Sequence, residues 1–402
     1  MSIHAGLISL GGYLPAKRIA KDQKGRLVSF LKRETLLEPE YIDQIHDTSH
    51  LPGSIETNDE GWAKQPWFET WLENLPPKKR DNPFQGAKER RRVPIDPVSL
   101  RESIVPHPML PSDAETIAGA LAIINSGIAK DEIDLLLAHS QVPDLPLPPN
   151  ASLVQHKLKL KHAGAYGVDS CCSSFVTMVE IACGLIRAGI KNTILIISSF
   201  IDSHVIDRSA YFSINTGDAA VGAIVTRVEE GYGYISSAST SHGGRHDGII
   251  FQQRSPSLLK KTGFGPDYAQ EFTTFHNPQA CKEIAANAQQ DMVEVVHKVL
   301  TKANLGISEV DFFVTHQPVA WAANAWREAL GIPSNKFYES FETYGNIATC
   351  SVPTNLLEAI ESKSIKAGDH ILMASSGAGE NHIAVLEKLS SRLIQNSHAS
   401  LL

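Results

Sequence analysis

Apolar runs closed by small or polar turns alternate along this chain with stretches of helical period. The opening, Ala5 to Leu10 and on to Gly11-Gly12, reads as a buried first strand. Two segments echo one another, NSGIAKDEIDLLLAHSQ at 125–141 and ANLGISEVDFFVTHQ at 303–317. Each has the small-residue end of a helix, then Gly-Ile, an acidic turn, Asp, an apolar strand, and a closing His-x-Gln or His-Gln. An internal duplication accounts for the pair, although any helix-turn-strand unit shares some of this composition. Helices alternating with strands predict an α/β class with two similar halves, about 1–230 and 231–402. Ser112-x-x-Glu115 has the spacing of a capping box opening a helix that runs to about Asn125. Further on, a strand near Ala165 turns at Cys172 into a helix ending near Ala188, and a strand follows from Thr193 to Ser199.

Residues from about 30 to 85 differ in texture, being charged and broken by Pro52, Pro66, Pro76, Pro77 and Pro83, and read as an insertion. Inside it Trp67, Phe68, Trp71, Leu72 and Leu75 share one helix face. Two readings stand: the face packs on the core, or Trp67 and Trp71 line the lid of an apolar substrate tunnel. The tail after about Leu386 reads as peripheral.

Composition narrows the classes. In 402 residues, 42% are hydrophobic and 20% charged, which excludes disorder and collagen. A formal charge of -7 gives no general field for nucleic acid or a membrane surface, so an anionic partner must meet a local patch such as Lys78-Lys79-Arg80 or Lys88 to Arg92. Five cysteines, two of them adjacent, do not form a disulfide framework and suggest a reducing compartment. No basic residues precede the first apolar stretch as they would in a signal peptide, and the longest later one, Phe175 to Ile186, carries Glu180. The expectation is a cytoplasmic protein without a membrane span.

Four short segments can carry chemistry. In Ala165-Tyr166-Gly167-Val168-Asp169-Ser170-Cys171-Cys172-Ser173-Ser174-Phe175, a strand turns into a helix at a cysteine. A thiol at a helix N-terminus feels the positive end of the dipole and nearby N–H groups, which favour thiolate. Taken alone, such a pair is more often a buried structural thiol. His316 ends an apolar strand where a helix from Ala320 to Leu330 begins, a position at the edge of an α/β sheet. Tyr344-Gly345-Asn346 makes a turn before a helix starting near Pro353, and Ser375-Ser376-Gly377-Ala378-Gly379 follows a strand from Ile371 to Ala374. Separately each is an ordinary turn.

Their order and spacing resemble the thiolase-like condensing enzymes, most closely the ketoacyl-acyl-carrier-protein synthase III branch. Gly11 to Pro15 resembles that family's first strand and turn, Gly86-Ala87-Lys88-Glu89-Arg90-Arg91 its Gly-Ile-Arg-Glu-Arg segment, and Thr216-Gly217-Asp218-Ala219-Ala220 its Phe-Gly-Asp-Gly-Ala turn. Cys172, three residues before Phe175, stands at the nucleophile position, with His316-Gln317 and Tyr344-Gly345-Asn346 at the His and Asn motifs. The resemblance implies a five-layered αβαβα fold of two duplicated halves and a homodimer. It also implies a catalytic set of Cys172, His316 and Asn346, with oxyanion donors from the backbone N–H of Cys172 and Ala378. Substrates would arrive as coenzyme A or acyl-carrier-protein thioesters. No cofactor or metal is required, and no metal-ligand spacing appears.

Departures bear on the role. The family often continues after its His motif with Asn and then Arg for carrier docking, whereas this chain has Pro318-Val319-Ala320-Trp321. Together with the insertion, this points away from housekeeping fatty acid initiation and toward specialised polyketide or fatty-acyl metabolism, ketosynthase/cyclases included. The leading expectation is carbon-carbon condensation through a Cys172 acyl-enzyme. The alternatives are acyl transfer to an oxygen or nitrogen acceptor on the same fold, and a catalytically silent partner subunit.

Overall fold

The computed structural model describes residues 2–15, 54–58, 60–93, 110–145, 147–204, 206, 208–251, 273–275 and 277–397. Part of the 30–85 segment, residues 30–53 and 59, lies outside these, as do 398–402.

Two five-stranded sheets organise the described residues. The first runs, in spatial order, Ala5–Tyr13, Ala219–Arg227, Thr193–Phe200, Leu135–Ser140 and Gly164–Gly167. The second runs Gly233–Ser241, Asn381–Lys388, His370–Gly377, Phe312–Thr315 and Phe337–Tyr338. Both carry the same directions, two antiparallel pairings followed by two parallel ones. The echo is thereby explained, since its two apolar runs are the equivalent strands Leu135–Ser140 and Phe312–Thr315. Even the lead-in matches: the Asp134 N–H donates to the Thr193 carbonyl at 3.1 Å, and that of Asp311 to the His370 carbonyl at 3.0 Å.

These strands read as continuous apolar runs because both faces are covered. Ile194 and Ile196 enter the central core with Phe175, Leu356 and Ile371, whereas Leu195 and Ile197 enter an outer core with Ile117 and Val154. In the second sheet Phe312 and Val314 face the centre, while Phe313 packs outward with Val295 and Trp326. The layers are therefore outer helices Pro111–Ser126 and Asn150–Lys157, a sheet, central helices Ser174–Arg187 and Ser351–Glu361, the second sheet, and outer helices Pro278–Ala303 and Ala322–Ala329. This is the five-layered αβαβα architecture that the resemblance implied. No helix among the described residues is long and apolar enough to cross a membrane.

Two local expectations are corrected. The helix opens at Pro111, one residue before Ser112, and Asp113 reaches back to the Leu110 N–H at 3.1 Å. Ser112 and Glu115 instead join a buried polar cluster in which Asp144, Ser140, Ser199 and Asn150 are partners. The tail is not peripheral: Leu389 and Leu393 are buried in the central core, and Ser397 Oγ accepts the Leu10 N–H at 3.1 Å.

Candidate active site

Short polar side chains shape the turn that presents the thiols. Cys171–Ser173 forms a single 3-10 turn leading into the helix Ser174–Arg187. The Cys171 N–H donates to Asp169 Oδ1 at 2.8 Å, Ser174 Oγ accepts the Ser170 N–H at 2.9 Å, and Ser173 Oγ donates to the Ser170 carbonyl at 2.6 Å. Buried Phe175 anchors the far side, with its N–H on Thr349 Oγ1 at 3.0 Å. The quasi-symmetric turn in the second half is Ala348–Cys350, and both turns begin on a left-handed residue, Cys171 at φ 57° and Ala348 at φ 45°.

The two thiols lie 3.9 Å apart, and Cys171 Sγ also accepts from Gln141 Nε2 at 3.2 Å. As a buried pair they lose their protons in sequence. The first, from Cys171, leaves more readily than from an ordinary thiol because its thiolate accepts a hydrogen bond from the Cys172 S–H. That bond outweighs burial, and the Gln141 amide and the N–H groups of Cys172 and Ala378 add to it. The same S–H bond, burial and the like charge hold the second proton far above the usual range.

Asn346 is oriented by its surroundings. Its Oδ1 accepts the Ala348 N–H at 2.9 Å, which leaves its Nδ2 as the donor for a ligand. Gly217 and Gly345 permit the close passage of chains this requires: a Cβ on Gly217 would lie 2.3 Å from the Tyr344 carbonyl oxygen, and Gly345 has φ 70° with a Cβ position 2.4 Å from the Asn215 carbonyl oxygen. Asp218 ties the same region together, accepting the Val93 N–H at 2.6 Å and the Ser203 N–H at 2.9 Å. Gln317 Nε2 donates to the Gly345 carbonyl at 2.7 Å, so the residue after His316 braces the turn that carries Asn346. His316 is buried, with Nδ1 3.2 Å from Ser351 Oγ. Burial pushes its imidazole down to about 3, against a hydrogen bond with the Ala348 backbone.

One cavity of about 250 Å³ gathers these groups, with Cys171, Cys172, Asn346 and Ala378 in its wall. His316 does not line it but lies beneath, bonded to Ala348, which does. Cys172 packs against Val142, Phe200 and Ala348, an apolar hollow beside the thiol.

Trp67 and Trp71 are not in this wall, which corrects the tunnel expectation. Trp71 is wholly buried among Trp62, Leu75, Ala87 and Ile214, with its Nε1 donating to the Tyr211 carbonyl at 3.3 Å. Tyr211 and Phe212, which sequence reasoning missed, line the cavity instead. Trp71→Ala is therefore expected to cost about 3–5 kcal/mol of stability and leave acyl-chain preference unchanged, checked by denaturant unfolding alongside competition between acyl thioesters.

The basic run at 88–92 is also corrected. Arg90 and Arg92 are buried, Arg90 donating to the carbonyls of Ile214 and Phe341 and Arg92 to that of Ser213. Exposed Lys88 pairs with Glu342. Lys79 of the other run does line the cavity, its Nζ 5.3 Å from the centre of the Tyr211 ring. Gln141 was also missed as a site residue, although it closes the His-x-Gln of the sequence echo.

Comparison with known proteins agrees with this geometry. The family model for 3-oxoacyl-[acyl-carrier-protein (ACP)] synthase III matches residues 166–243, which contain Cys172. Its C-terminal counterpart matches 300–389, which contain His316, Asn346 and Ala378. The beta-ketoacyl-[acyl-carrier-protein] synthase III 2 of Vibrio vulnificus is 30% identical over 298 residues, covering 72% of this chain and 79% of that protein. The corresponding synthase III of Clostridium perfringens is 29% identical over 281 residues, covering 69% and 84%. The crystal structure of 3-oxoacyl-[acyl-carrier-protein] synthase III from Aquifex aeolicus superposes with a TM-score of 0.66 at 24% identity, covering 96% of this chain and all of that one. With the duplicated fold, the cysteine turn and the Asn turn all in place, the chain belongs to the beta-ketoacyl-[acyl-carrier-protein] synthase III family and is a condensing enzyme of acyl thioesters.

Proposed function

We propose that Cys172 accepts the acyl group and that His316 and Asn346 activate the second thioester. The Cys172 thiolate adds to the carbonyl carbon of an acyl thioester. The oxyanion is met by the N–H groups of Cys172 and Ala378, and the carrier thiolate leaves. The second thioester then loses carbon dioxide, and the resulting enolate attacks the acyl-enzyme. A carbon-carbon bond forms and the Cys172 thiolate is released.

The observation that carries this reading is the meeting of Cys172, Asn346 and Ala378 in one cavity wall, with Asn346 Oδ1 committed to the Ala348 N–H so that its Nδ2 is a neutral donor there. A general base for an alcohol or amine acceptor works best near the operating pH. An imidazole pushed down to about 3 is a neutral hydrogen-bond donor instead, which favours condensation over acyl transfer. The acyl group comes on coenzyme A or an acyl carrier protein, both anionic, and Lys79 at the cavity is the contact we assign to that carrier. Pro318 and Val319 in the cavity wall, where the family often carries polar docking residues, support a specialised pathway. Free cysteines throughout support a reducing, cytoplasmic setting, and the family resemblance supports a homodimer.

The test is intact-mass spectrometry with a panel of acyl-coenzyme A and acyl-carrier-protein thioesters, followed by a labelled malonyl-type thioester. A covalent acyl adduct that is consumed as a 3-oxo product forms is expected, and Lys79→Glu should raise KM in a salt-dependent way. An adduct discharged only as an ester or amide would overturn the condensing mechanism.

A further inference from the structure

On the far side of the Gly377–Gly379 turn lies a second cluster that the reaction does not use. Three elements build it: His242 follows the strand Gly233–Ser241, Asp291 sits within the helix Pro278–Ala303, and His382 is in the strand Asn381–Lys388. One ligand-capable atom from each lies within 4.8 Å of the others. His242 Nε2 is 3.4 Å from Asp291 Oδ1, and His382 Nε2 is 3.7 Å from Asp291 Oδ2. Donors bound at 2.0–2.1 Å to a tetrahedral ion sit about 3.3 Å apart, so these separations are close to those of a ligand shell.

A second observation points the same way. His382 is 1% exposed, yet neither ring nitrogen makes a hydrogen bond. Buried polar atoms are seldom left so, because each has lost its hydration with nothing gained in return. A cation bound to Nε2 would satisfy one of them. Charge agrees: Asp291 and Glu380 are both buried, and the nearby guanidinium of Arg245 supplies a single positive charge. Arg245 Nη1 contacts Asp291 Oδ2 at 3.0 Å and Glu380 Oε2 at 3.1 Å, which leaves Asp291 Oδ1 toward His242 and Glu380 Oε1 toward His382. An outer cation bonded to ligating carboxylates is the usual second-shell arrangement. Glu380 Oε1, 3.4 Å from His382 Nε2, is the adjacent donor for a fourth position.

We propose that His242, Asp291 and His382, with Glu380 alongside, bind a divalent transition-metal ion of the zinc class. Imidazole and carboxylate donors suit that class better than magnesium or calcium. The role is structural, since none of these residues lines the catalytic cavity. The ion pins the long helix to two strands beside the Gly377–Gly379 turn, where the His242 N–H already donates to the Glu380 carbonyl at 2.9 Å. His242, the most exposed of the set, gives the ion its way in.

The test is elemental analysis of the purified protein, then titration of the chelator-treated protein with Zn²⁺ and Co²⁺. One ion per chain is expected, with a rise in melting temperature on Zn²⁺ addition and a visible Co²⁺ spectrum lacking a thiolate charge-transfer band. His382→Ala and His242→Gln should each weaken binding by more than the ten- to hundredfold typical of second-shell losses. His242→Gln, at the partly exposed position, serves if His382→Ala folds poorly. A Cys171→Ala/Cys172→Ala double variant should bind as before. Absence of binding by the wild-type protein, or one-to-one binding that survives both histidine substitutions or is lost with the cysteines, would overturn the site.

Discussion

Cys172→Ala is expected to abolish covalent acylation and to reduce turnover on the order of a million-fold, the scale on which removing a covalent nucleophile acts. Cys171→Ala should still form the acyl-enzyme, and should do so at lower pH than the wild type. The physical reason is the shared proton. In the wild-type pair the first thiolate accepts from the neighbouring S–H, which lowers its pKa. Removing Cys171 takes away the S–H bond and the like charge that hold the Cys172 proton, and leaves burial as the main cause raising it. Because the thiolate is the reactive form, the rising limb of acylation rate against pH should move downward. Phe200 and Ala348, which line the cavity beside Cys172, are the apolar surface against which an acyl chain would lie. Intact-mass measurement of both variants across pH decides the matter. An adduct that persists in Cys172→Ala and vanishes in Cys171→Ala would reverse the assignment.

Asn346→Ala and His316→Ala are each expected to slow carbon-carbon bond formation by about two to three orders of magnitude while acylation of Cys172 proceeds. Negative charge develops on the second thioester's oxygen as the enolate forms. The Nδ2 of an Asn346 whose Oδ1 is already committed to Ala348 lines the cavity as a donor for it, and a neutral His316 lies behind the same wall on Ala348. Single-turnover assays starting from preformed acyl-enzyme separate the two steps. Near-normal turnover of Asn346→Ala with a dead His316→Ala and an ester or amide product would mark an acyl transferase instead. The pH dependence carries the same sign. Because the folded imidazole stays neutral down to about 3, condensation should not fall as pH drops through the ordinary histidine value of about 6.5. Stability should fall below that value, because the unfolded chain there binds a proton that the folded one excludes.

The sequence alone determined the features that depend on short stretches of chain. An apolar strand closed by His316, a thiol turn opening a helix, and a Gly-Asn turn each follow from a few consecutive residues. A helix-turn-strand unit that recurs at 125–141 and 303–317 carries the two like halves in the sequence itself. Identity of a long charged or aromatic side chain is a poorer guide, because its environment is set by distant segments. Arg90 and Arg92 read as surface charge until the fold covers them with the carbonyls of Ile214, Phe341 and Ser213. Trp71 stood between two readings, core or lid, until Tyr211 comes between it and the cavity. Only tertiary structure brought together His242, Asp291 and His382, whose separations match no ligand spacing along the chain, and only it committed Asn346 Oδ1 to the Ala348 N–H. Local pattern encodes which elements form, because period and turn chemistry act over a few residues. Burial and the pairing of donors with acceptors are decided by elements that meet from far apart in sequence.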